Sequence, residues 1–435
     1  MEQPSPDEVQ QEPLAQTPPL SEADELQDES LRLLDYDTIR GQLADNTTFY
    51  EARRMALDLR PSFVAHEVQQ LQDETADARG LLDEIGELSL ELGVDTSESV
   101  ARAALGGILT GVDLLAVADT LEVHRRARSA LLKAERHAPL MADLAGVIPD
   151  LQELQRQIRS KIGHRGEVVD DATVTLRALR TQVRQAHDTV SEALNSFIRS
   201  SAGAEALQEP IVAVRGDRLV VPVKSNMRHR VRGIVHDASN TGATVFIEPF
   251  ETVELCNAWR ELALEEEREV ARVLRDLSTL VGAVADDIRL GNQLTGRLDF
   301  ALARARYSHR LQGSPAATRP SLETDDVTPA ADGAIVRLLK ARHPMLGRAA
   351  VPLTFGIGPG WTVLVITGPN TGGKTVAMKT VGLLALMHQS GLQIPADEGS
   401  ALPVFEGVYA DIGDQQSIVD SVSTFGSHMA NVIKI

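Results

Sequence analysis

The sequence predicts a multidomain chain with a mostly α-helical core, an antiparallel helical arm carrying a small β-containing insert, and a following α/β domain. Three observations predict it. Apolar residues recur three and four apart from Leu31 to about Ala202, with few prolines; the period turns strand-like between Pro210 and Pro249; and short apolar runs beyond a Pro-, Ser-, Thr- and Asp-rich linker alternate with helical pattern. A chain of 435 residues with 43% hydrophobic content is long enough for two or three domains, each burying its own core. No fixed-period repeat is apparent.

Residues 1–30 are rich in Pro, Gln, Glu and Asp with few large apolar residues, which marks a disordered acidic tail. Residues 31–209 are expected to form the helical core and the first arm helix. That helix has the clearest pattern: Val169, Ala172, Leu176, Leu179, Val183, Ala186, Val190, Ala193 and Phe197 alternate spacings of three and four, a seam about 40 Å long at ~1.5 Å per residue. Residues 210–250 are the insert, with Ile211, Val212 and Val214, then Leu219, Val220, Val221 and Val223, and turns at Gly216, Gly233 and Gly242. Residues 251–312 return as arm helices, because Val270, Leu274, Leu277, Val281, Val284 and Ile288 again step by four and three. A linker spans residues 313–333, and residues 334–435 carry the α/β pattern: a strand over residues 335–339, a second at Val363, Leu364, Val365, Ile366 and Thr367, and a helix over residues 376–388.

Composition narrows the function. The net charge of −19 excludes a protein coated in nucleic-acid-binding surface and confines any such contact to local patches. Aromatic content of 3% argues against base stacking as the main mode of recognition. A single cysteine, Cys256, forms no internal disulfide, and no His/Cys cluster has zinc-ligand spacing, which suits a reducing, cytoplasmic setting. No membrane span is expected, since the most apolar stretch, residues 104–123, is broken by Asp113 and Asp119, and the N-terminus lacks the pattern of a secretory signal.

Gly368-Pro369-Asn370-Thr371-Gly372-Gly373-Lys374-Thr375 fits the eight-position phosphate-loop pattern. Each residue type has a reason. Glycines let backbone N–H groups turn inward around phosphate oxygens, Lys374 reaches the β- and γ-phosphates, and the Thr375 hydroxyl completes the coordination of magnesium. The N-terminal end of the following helix adds positive charge. An apolar run before the loop and an apolar helix after it supply the required strand-loop-helix context, whereas a chance Gly-rich turn would not need one. A nucleotide with magnesium is therefore the expected ligand, and a bare phosphate loop leaves dozens of ATPase families open.

The extended loop, from Thr367 through Gly-Pro-Asn-Thr-Gly-Gly-Lys-Thr, resembles that of the MutS family. Three further segments agree: Arg342-His343-Pro344, Gly391-Leu392-Gln393-Ile394-Pro395-Ala396, and Asp411-Ile412-Gly413-Asp414-Gln415-Gln416-Ser417 leading into Ser421-Val422-Ser423-Thr424-Phe425. Within the family the chain is most similar to the type-two bacterial branch, the MutS endonucleases of that type, on the combination of the loop with Val235-His236-Asp237-Ala238-Ser239-Asn240-Thr241-Gly242-Ala243-Thr244-Val245-Phe246-Ile247-Glu248-Pro249. No mismatch-reading domain precedes the helical region. The resemblance covers about residue 30 to the end and is strongest in 210–260 and 340–435.

The resemblance implies that residues 334–435 are an ABC-type ATPase domain binding ATP and magnesium, and that the protein is a homodimer with two composite ATP sites, in which Ser423, with Thr424 and Phe425, of one subunit meets the phosphate loop of the other. It places Asn370 near the γ-phosphate or attacking water, and His343 near the nucleotide without a chemical role. Ser423 could instead merely cap its helix, Asn370 be a turn residue, and Asp411 and Asp414 ordinary caps. The implied activity is that of an ATP-driven clamp on branched DNA, suppressing homologous recombination, or on stalled or collided ribosomes through rRNA. A different ABC-type ATPase, such as an SMC-like protein, would read Leu-Ser-Gly-Gly where this chain reads Ser-Thr-Phe-Gly. A third alternative is a coiled-coil interaction protein that uses nucleotide structurally. Hydrolysis in phosphate-loop enzymes needs a downstream strand ending in an acidic residue. The chain reaches Ile435 without one, and without the nuclease domain of the type-two branch, so these residues are expected to form an incomplete ATPase domain that binds ATP, hydrolyses it poorly and cuts nothing.

Lys224, Arg228, Arg230 and Arg232, with His229, form the densest basic cluster and lie on the insert, where phosphate contact competes with a solvated charged face. Phe49-Tyr50-Glu51 fits the Phe-x-Glu wedge of mismatch readers, but it sits in a helix-patterned stretch and is taken as coincidence.

Overall fold

The computed structural model describes residues 22–88, 90, 94–216, 218–319, 335–358, 363–369 and 373–412. In chain order it begins with helices α1 (Glu22–Leu33), α2 (Tyr36–Ala44), α3 (Tyr50–Leu57), α4 (Ala65–Ile85), α5 (Ser97–Ala104), α6 (Gly111–Lys133), α7 (Pro139–Gly146) and α8 (Gln152–Lys161). Helices α9 (Val174–Arg199) and α10 (Ser201–Ala206) lead into strands β1 (Ala213–Arg215), β2 (Arg218–Lys224), β3 (Gly233–Ala238) and β4 (Thr244–Pro249). Helices α11 (Phe250–Ala283) and α12 (Ala285–Leu311) follow, then β5 (Ala317–Arg319), β6 (Val336–Ala341), β7 (Leu353–Ile357), α13 (Lys374–Gln389) and β8 (Ala401–Pro403). The chain divides into two compact units, one formed by residues 94–127 and 148–292, the other by the remaining described residues.

In the first unit α9 and α11 lie side by side. Thr173 starts α9: its hydroxyl accepts the Leu176 N–H at 3.0 Å, as a capping threonine does, and donates to Glu269 Oε1 on α11 at 2.7 Å. Hydrogen bonds from Arg272 and Thr173 hold the Glu269 carboxyl down to about 2. Further along, Arg180 pairs with Glu266 at 2.9 Å and the rings of His187 and Trp259 lie 5.4 Å apart. Partner numbers fall as α9 numbers rise, so the two helices are antiparallel. Of the seam residues within α9 only Leu176 and Val190 are buried; Leu179, Val183, Ala186, Ala193 and Phe197 remain half-buried, and Leu194, beside the seam, is buried. Between its ends a two-helix pair offers each helix one neighbour, and one neighbour covers only part of an apolar stripe.

The two ends of the pair are cores. At one, Val100, Leu114, Val117, Leu121, Ile158, Leu176, Leu277, Val281 and Ile288 pack together from α5, α6, α8, α9, α11 and α12. At the other, Val190 and Leu194 of α9 and Cys256 of α11 pack on Leu219, Val221, Val223 and Ile247 of the insert. The insert is an antiparallel sheet of order β1-β2-β4-β3. Its strands β2 and β4 carry the burial, while the edge strand β3 is exposed along most of its length.

In the second unit the C-terminal half of α12 is the spine. Leu298, Phe300, Leu302 and Tyr307 are buried, and so are two charged residues between them. Asp299 is fully buried and accepts the backbone N–H groups of Thr48 at 2.6 Å and Phe49 at 2.8 Å, capping α3 from a distant part of the chain, with Arg306 at 3.1 Å. Arg304, also fully buried, reaches Glu74 at 2.9 Å and the Leu71 carbonyl at 3.0 Å. Phe49 is 1% exposed, so the Phe-x-Glu match belongs to the core and no wedge is presented. Strands β5, β8, β6 and β7 form a small mixed sheet in that order, in which only β5 and β8 run parallel.

Several expectations change. Residues 363–367 are not a strand: Val363 is 74% exposed and Val365 75%, and no described segment pairs with them. An apolar run becomes a strand only when another backbone satisfies its N–H and C=O groups. Val284 and Ile288 do not continue the helix of Val281, because α11 ends at Ala283; Gly282 and the β-branched Val284 hold a helix poorly, and Asp286 and Asp287 suit the first turn of α12. Val169 and Ala172 precede α9, at a short 3₁₀ turn of residues Asp170–Ala172. Helix α1 begins at Glu22, inside the stretch whose composition suggests a tail, because Ser30, Leu31 and Leu34 reach the core. No described helix is long and apolar enough to cross a membrane.

Two buried histidines make stability depend on pH. Burial pushes His388 and His124 down to about 4, the latter against its hydrogen bond to Asn292 Oδ1. Each stays neutral in the folded protein while its unfolded counterpart gains a proton below about 6.5. The stabilisation is complete above that pH and is lost as pH falls toward about 4, up to about 3 kcal/mol for each. Melting temperature is expected to fall between pH 6.5 and 5, a window above most carboxylate titrations, and His388→Gln should flatten that slope; an unchanged slope would contradict the assignment.

Candidate functional site

Helix α13 is held at one end and open at the other. Its C-terminal half is apolar and buried from Leu383 through Met387, and polar contacts secure residues 388–390 beyond it. Ser390 Oγ and the Tyr36 hydroxyl are 2.5 Å apart, Gln72 donates to the His388 carbonyl at 2.8 Å, and Gln389 donates to the Ser62 carbonyl at 2.8 Å. Lys379, nearer the open end, pairs with Asp35 at 2.8 Å. Gly391, just past the helix, has φ +74°, and a Cβ there would lie 2.5 Å from Arg304 Nη1 and 2.5 Å from Leu71 Cβ. Only glycine combines that backbone with that approach. The Gly391 to Ala396 segment is thus a packing element: Gly391 ends the helix turn, and Gln393 Oε1 accepts from Ser308 at 2.5 Å and from Arg79.

The N-terminal turn is the opposite. Gly373 caps it in left-handed backbone, φ +79° and ψ 17°, and offers no capping side chain of its own. Lys374 folds back so that its amine donates to the Gly368 carbonyl, closing a ring across the loop. Gly368 also has positive φ, and a Cβ at Gly368 or Gly373 would meet no atom within 4 Å. Thr375 and Pro369 are both exposed. A helix N-terminus capped by glycine, a lysine beside it and open space around two glycines suits a phosphate group. Asn370, Thr371 and Gly372 of the predicted loop lie outside the described residues, as do Asp414, Ser423, Thr424 and Phe425. Among the described residues no group of three or more His, Cys, Asp or Glu could hold a metal ion.

His343 lies in the same unit, 6% exposed, where burial lowers its pKa, with Asp35 opposing and Lys379 adding to the shift. Its neighbour Arg342 is fixed through its backbone N–H, 2.9 Å from the Pro395 carbonyl. Asp411 is described and partly exposed.

The basic cluster comes together on one turn of the insert. Lys224 ends β2, a 3₁₀ turn spans Ser225–Arg230, and Val231 is buried and anchors the segment. His229 and Arg230 stand exposed beside it, with Arg228 and Arg232 at least partly so. Arg230 approaches Glu205 at 3.5 Å and Lys224 the Glu205 carbonyl at 3.3 Å. Arg228 and Arg232 have no carboxylate partner among the described residues, so both guanidinium groups are available to an anion. Sequence reasoning used the segment from Val235 to Pro249 only as a signature. The structure joins its two ends: the β3/β4 register slips at His236, and a β-bulge there brings His236 Nε2 to 2.6 Å from Glu248 Oε2. Glu248, 1% exposed, also meets Arg218 at 3.3 Å. Burial and then Glu248 push the nearby Cys256 thiol up to about 12, which leaves it inert at neutral pH. The sequence signal for the pair was a histidine and a glutamate twelve residues apart on successive strand patterns, uninterpretable without the bulge.

With this geometry in place, comparison with known proteins is specific. Residues 364–435 match MutS domain V. Over 414 residues the chain is 39% identical to endonuclease MutS2 of Clostridioides difficile (strain 630), covering 94% of this chain and 51% of that protein. It is 40% identical over 414 residues to endonuclease MutS2 of Geobacillus thermodenitrificans (strain NG80-2), with the same 94% and 51% coverage. For endonuclease MutS2 of Symbiobacterium thermophilum the figures are 41% over 412 residues, 94% and 50%. The chain belongs to the type-two branch of the MutS family. It spans about half the length of these MutS2 relatives. The match to domain V starts at Leu364, just ahead of the phosphate loop, so the open turn of α13 lies within the MutS portion of the chain.

Because the loop helix is fixed through Gly391, Gly391→Ala is expected to cost ~2 kcal/mol or more, from positive φ and overpacking together. Chemical denaturation would measure it; a loss under about 0.5 kcal/mol, the range of ordinary surface substitutions, would show that the segment relaxes freely.

Proposed function

We propose that this chain is the nucleotide-sensing and nucleic-acid-gripping part of an ATP-dependent clamp of the MutS type-two kind. The observation that carries the proposal is the asymmetry of α13: an open first turn with Lys374 across it, and a far end locked into a core. ATP would be held by Gly368, Pro369, Asn370, Thr371, Gly372 and Gly373 through the loop backbone, by Lys374 at the β- and γ-phosphates, and by Thr375 as a magnesium ligand. Magnesium, when bound, neutralises charge on the phosphate oxygens. The Lys374 amine would exchange the Gly368 carbonyl for phosphate oxygens, trading a neutral acceptor for a charged one. In a homodimer, Ser423 of the partner subunit would complete the site from the other side.

The antiparallel pair of α9 and α11 is the arm in this proposal, and the insert is its grip. Lys224, Arg228, Arg230 and Arg232 would contact phosphates, which position a protein on nucleic acid without reading sequence. Two targets follow from membership of the branch: branched DNA, with suppression of homologous recombination, and rRNA on stalled or collided ribosomes. A cytoplasmic location suits both. The MutS2 relatives named endonuclease are about twice as long as this chain, and the proposal for these residues stops at nucleotide-gated binding.

Lys374→Ala is expected to weaken ATP binding about tenfold or more in a titration with fluorescent ATP, the loss of at least one charge-assisted contact; equal affinities would remove the phosphate-loop assignment. ATP should also change affinity for a branched DNA or for ribosomes in the wild type and not in Lys374→Ala. Replacing Arg228, Arg230 and Arg232 together with Gln should weaken binding and reduce the salt slope by about 2 to 3 for duplex DNA, near one per lost phosphate contact. An unaltered slope would place the contact elsewhere.

A further inference from the structure

A cavity apart from the described phosphate-loop residues has an unusual lining. It measures about 630 Å³, within the roughly 300–1,000 Å³ of small-molecule sites, and lies inside one unit between the C-terminal end of α12, the end of β6 and residues 395–397. Its walls include Arg310, Gln312, Lys340, Arg342, His343 and Asp397. Three features single it out. In a chain of net charge −19, Arg310 and Arg342 both line it and neither has a carboxylate partner among the described residues. His343 is 6% exposed with Nδ1 lacking any hydrogen-bond partner, and Arg342 Nε is likewise buried and unpaired. Buried polar atoms without partners are rare and call for a ligand, a water or a strain-based role. Lys340, third, holds φ +46° where the β6/β7 register breaks, with its N–H 3.2 Å from Thr354 Oγ1 and its amine paired to Asp397 at 2.9 Å. A lysine kept in left-handed backbone marks strain that the surroundings must sustain.

We propose that this cavity binds a small phosphate-bearing dianion of the pyrophosphate type, free or carried by a nucleoside diphosphate. The two guanidinium groups supply planar, weakly hydrated forks that match phosphate oxygens. Asp397 offsets the charge of Lys340, so the lining is cationic by the two arginines alone. His343 adds a ring nitrogen, Nδ1, that has no hydrogen-bond partner among the described residues. Of the described loop residues, Gly368, Pro369, Gly373, Lys374 and Thr375, none lines it.

Equilibrium dialysis of labelled pyrophosphate against the full chain, at constant ionic strength, tests this in the Lys374→Ala background, where the phosphate-loop grip is removed. One saturable site is expected to remain. Arg310→Gln with Arg342→Gln should weaken it about tenfold or more, as loss of two charge-assisted contacts implies, whereas Arg275→Gln, on exposed α11 surface, should not. Should the double variant fold poorly by circular dichroism, Arg310→Gln alone, on an exposed side chain, must still weaken binding. Adenosine and guanosine diphosphates competing for the site would identify a nucleotide as the source, and failure to compete would leave the free dianion. Loss of all pyrophosphate binding in Lys374→Ala, or indifference to both arginines, would overturn the proposal. The phosphate-loop reading is judged separately, by ATP binding to the wild type against Lys374→Ala, so either can fail alone.

Discussion

The buried end of α13 is the constraint on which the rest of the nucleotide-facing region depends. A phosphate-gripping helix must present an open first turn, where four N–H groups have no intrahelical partner. A helix free at one end stays in register only if the other end cannot move. Here the far end is gripped by Tyr36 on Ser390, Gln72 on His388 and the tight turn at Gly391, beneath which Arg304 meets Glu74. Arg304 without Glu74 would be a buried, uncompensated charge, which is why such pairs tolerate no single loss. The helix end, the turn and the ion pair therefore stand or fall together.

The same logic recurs in the other unit at a different scale. The pair of α9 and α11 has little core of its own along its middle, and its geometry comes from what is packed at either end. Polar contacts between the helices set direction: Thr173 on Glu269 and Arg180 on Glu266 allow one antiparallel register. At the insert, the hydrophobic contact of Val190, Leu194 and Cys256 with β2 and β4 leaves the turn at Arg228 and Arg230 and the bulge at His236 away from the core. Chemistry-bearing side chains are thus placed by apolar neighbours one or two residues away, Val231 being the plainest case.

Much was legible in the residues because it is local. Period-3.6 patterning announced α9 and α11, the period-2 stretch announced the insert, and the Gly-Lys-Thr ending with its apolar helix announced α13. Misjudgements fell where a partner decides. Val363 to Ile366 are as apolar as any strand, yet no described backbone pairs with them. The middle of the α9 seam is as regular as its ends, yet half-buried for want of a second neighbour. Phe49 was no misjudgement: reading its motif as coincidence is borne out, since its ring belongs to the core beside Asp299 and α3.

The sequence by itself determined that long helical segments flank a strand-patterned stretch, that residues 368–375 spell the phosphate-loop pattern, and that four basic residues crowd one short stretch. Those are properties of neighbours within a few positions, and propensity and periodicity report them. Only the tertiary structure decided that His236 reaches Glu248 across a bulge, that Gly391 must be glycine because Arg304 and Leu71 lie against it, and that Arg310 and Arg342 line one cavity. Those facts depend on contacts between residues twelve to several hundred positions apart. Such contacts are set by how apolar faces pack, and a one-dimensional pattern carries no record of which face meets which.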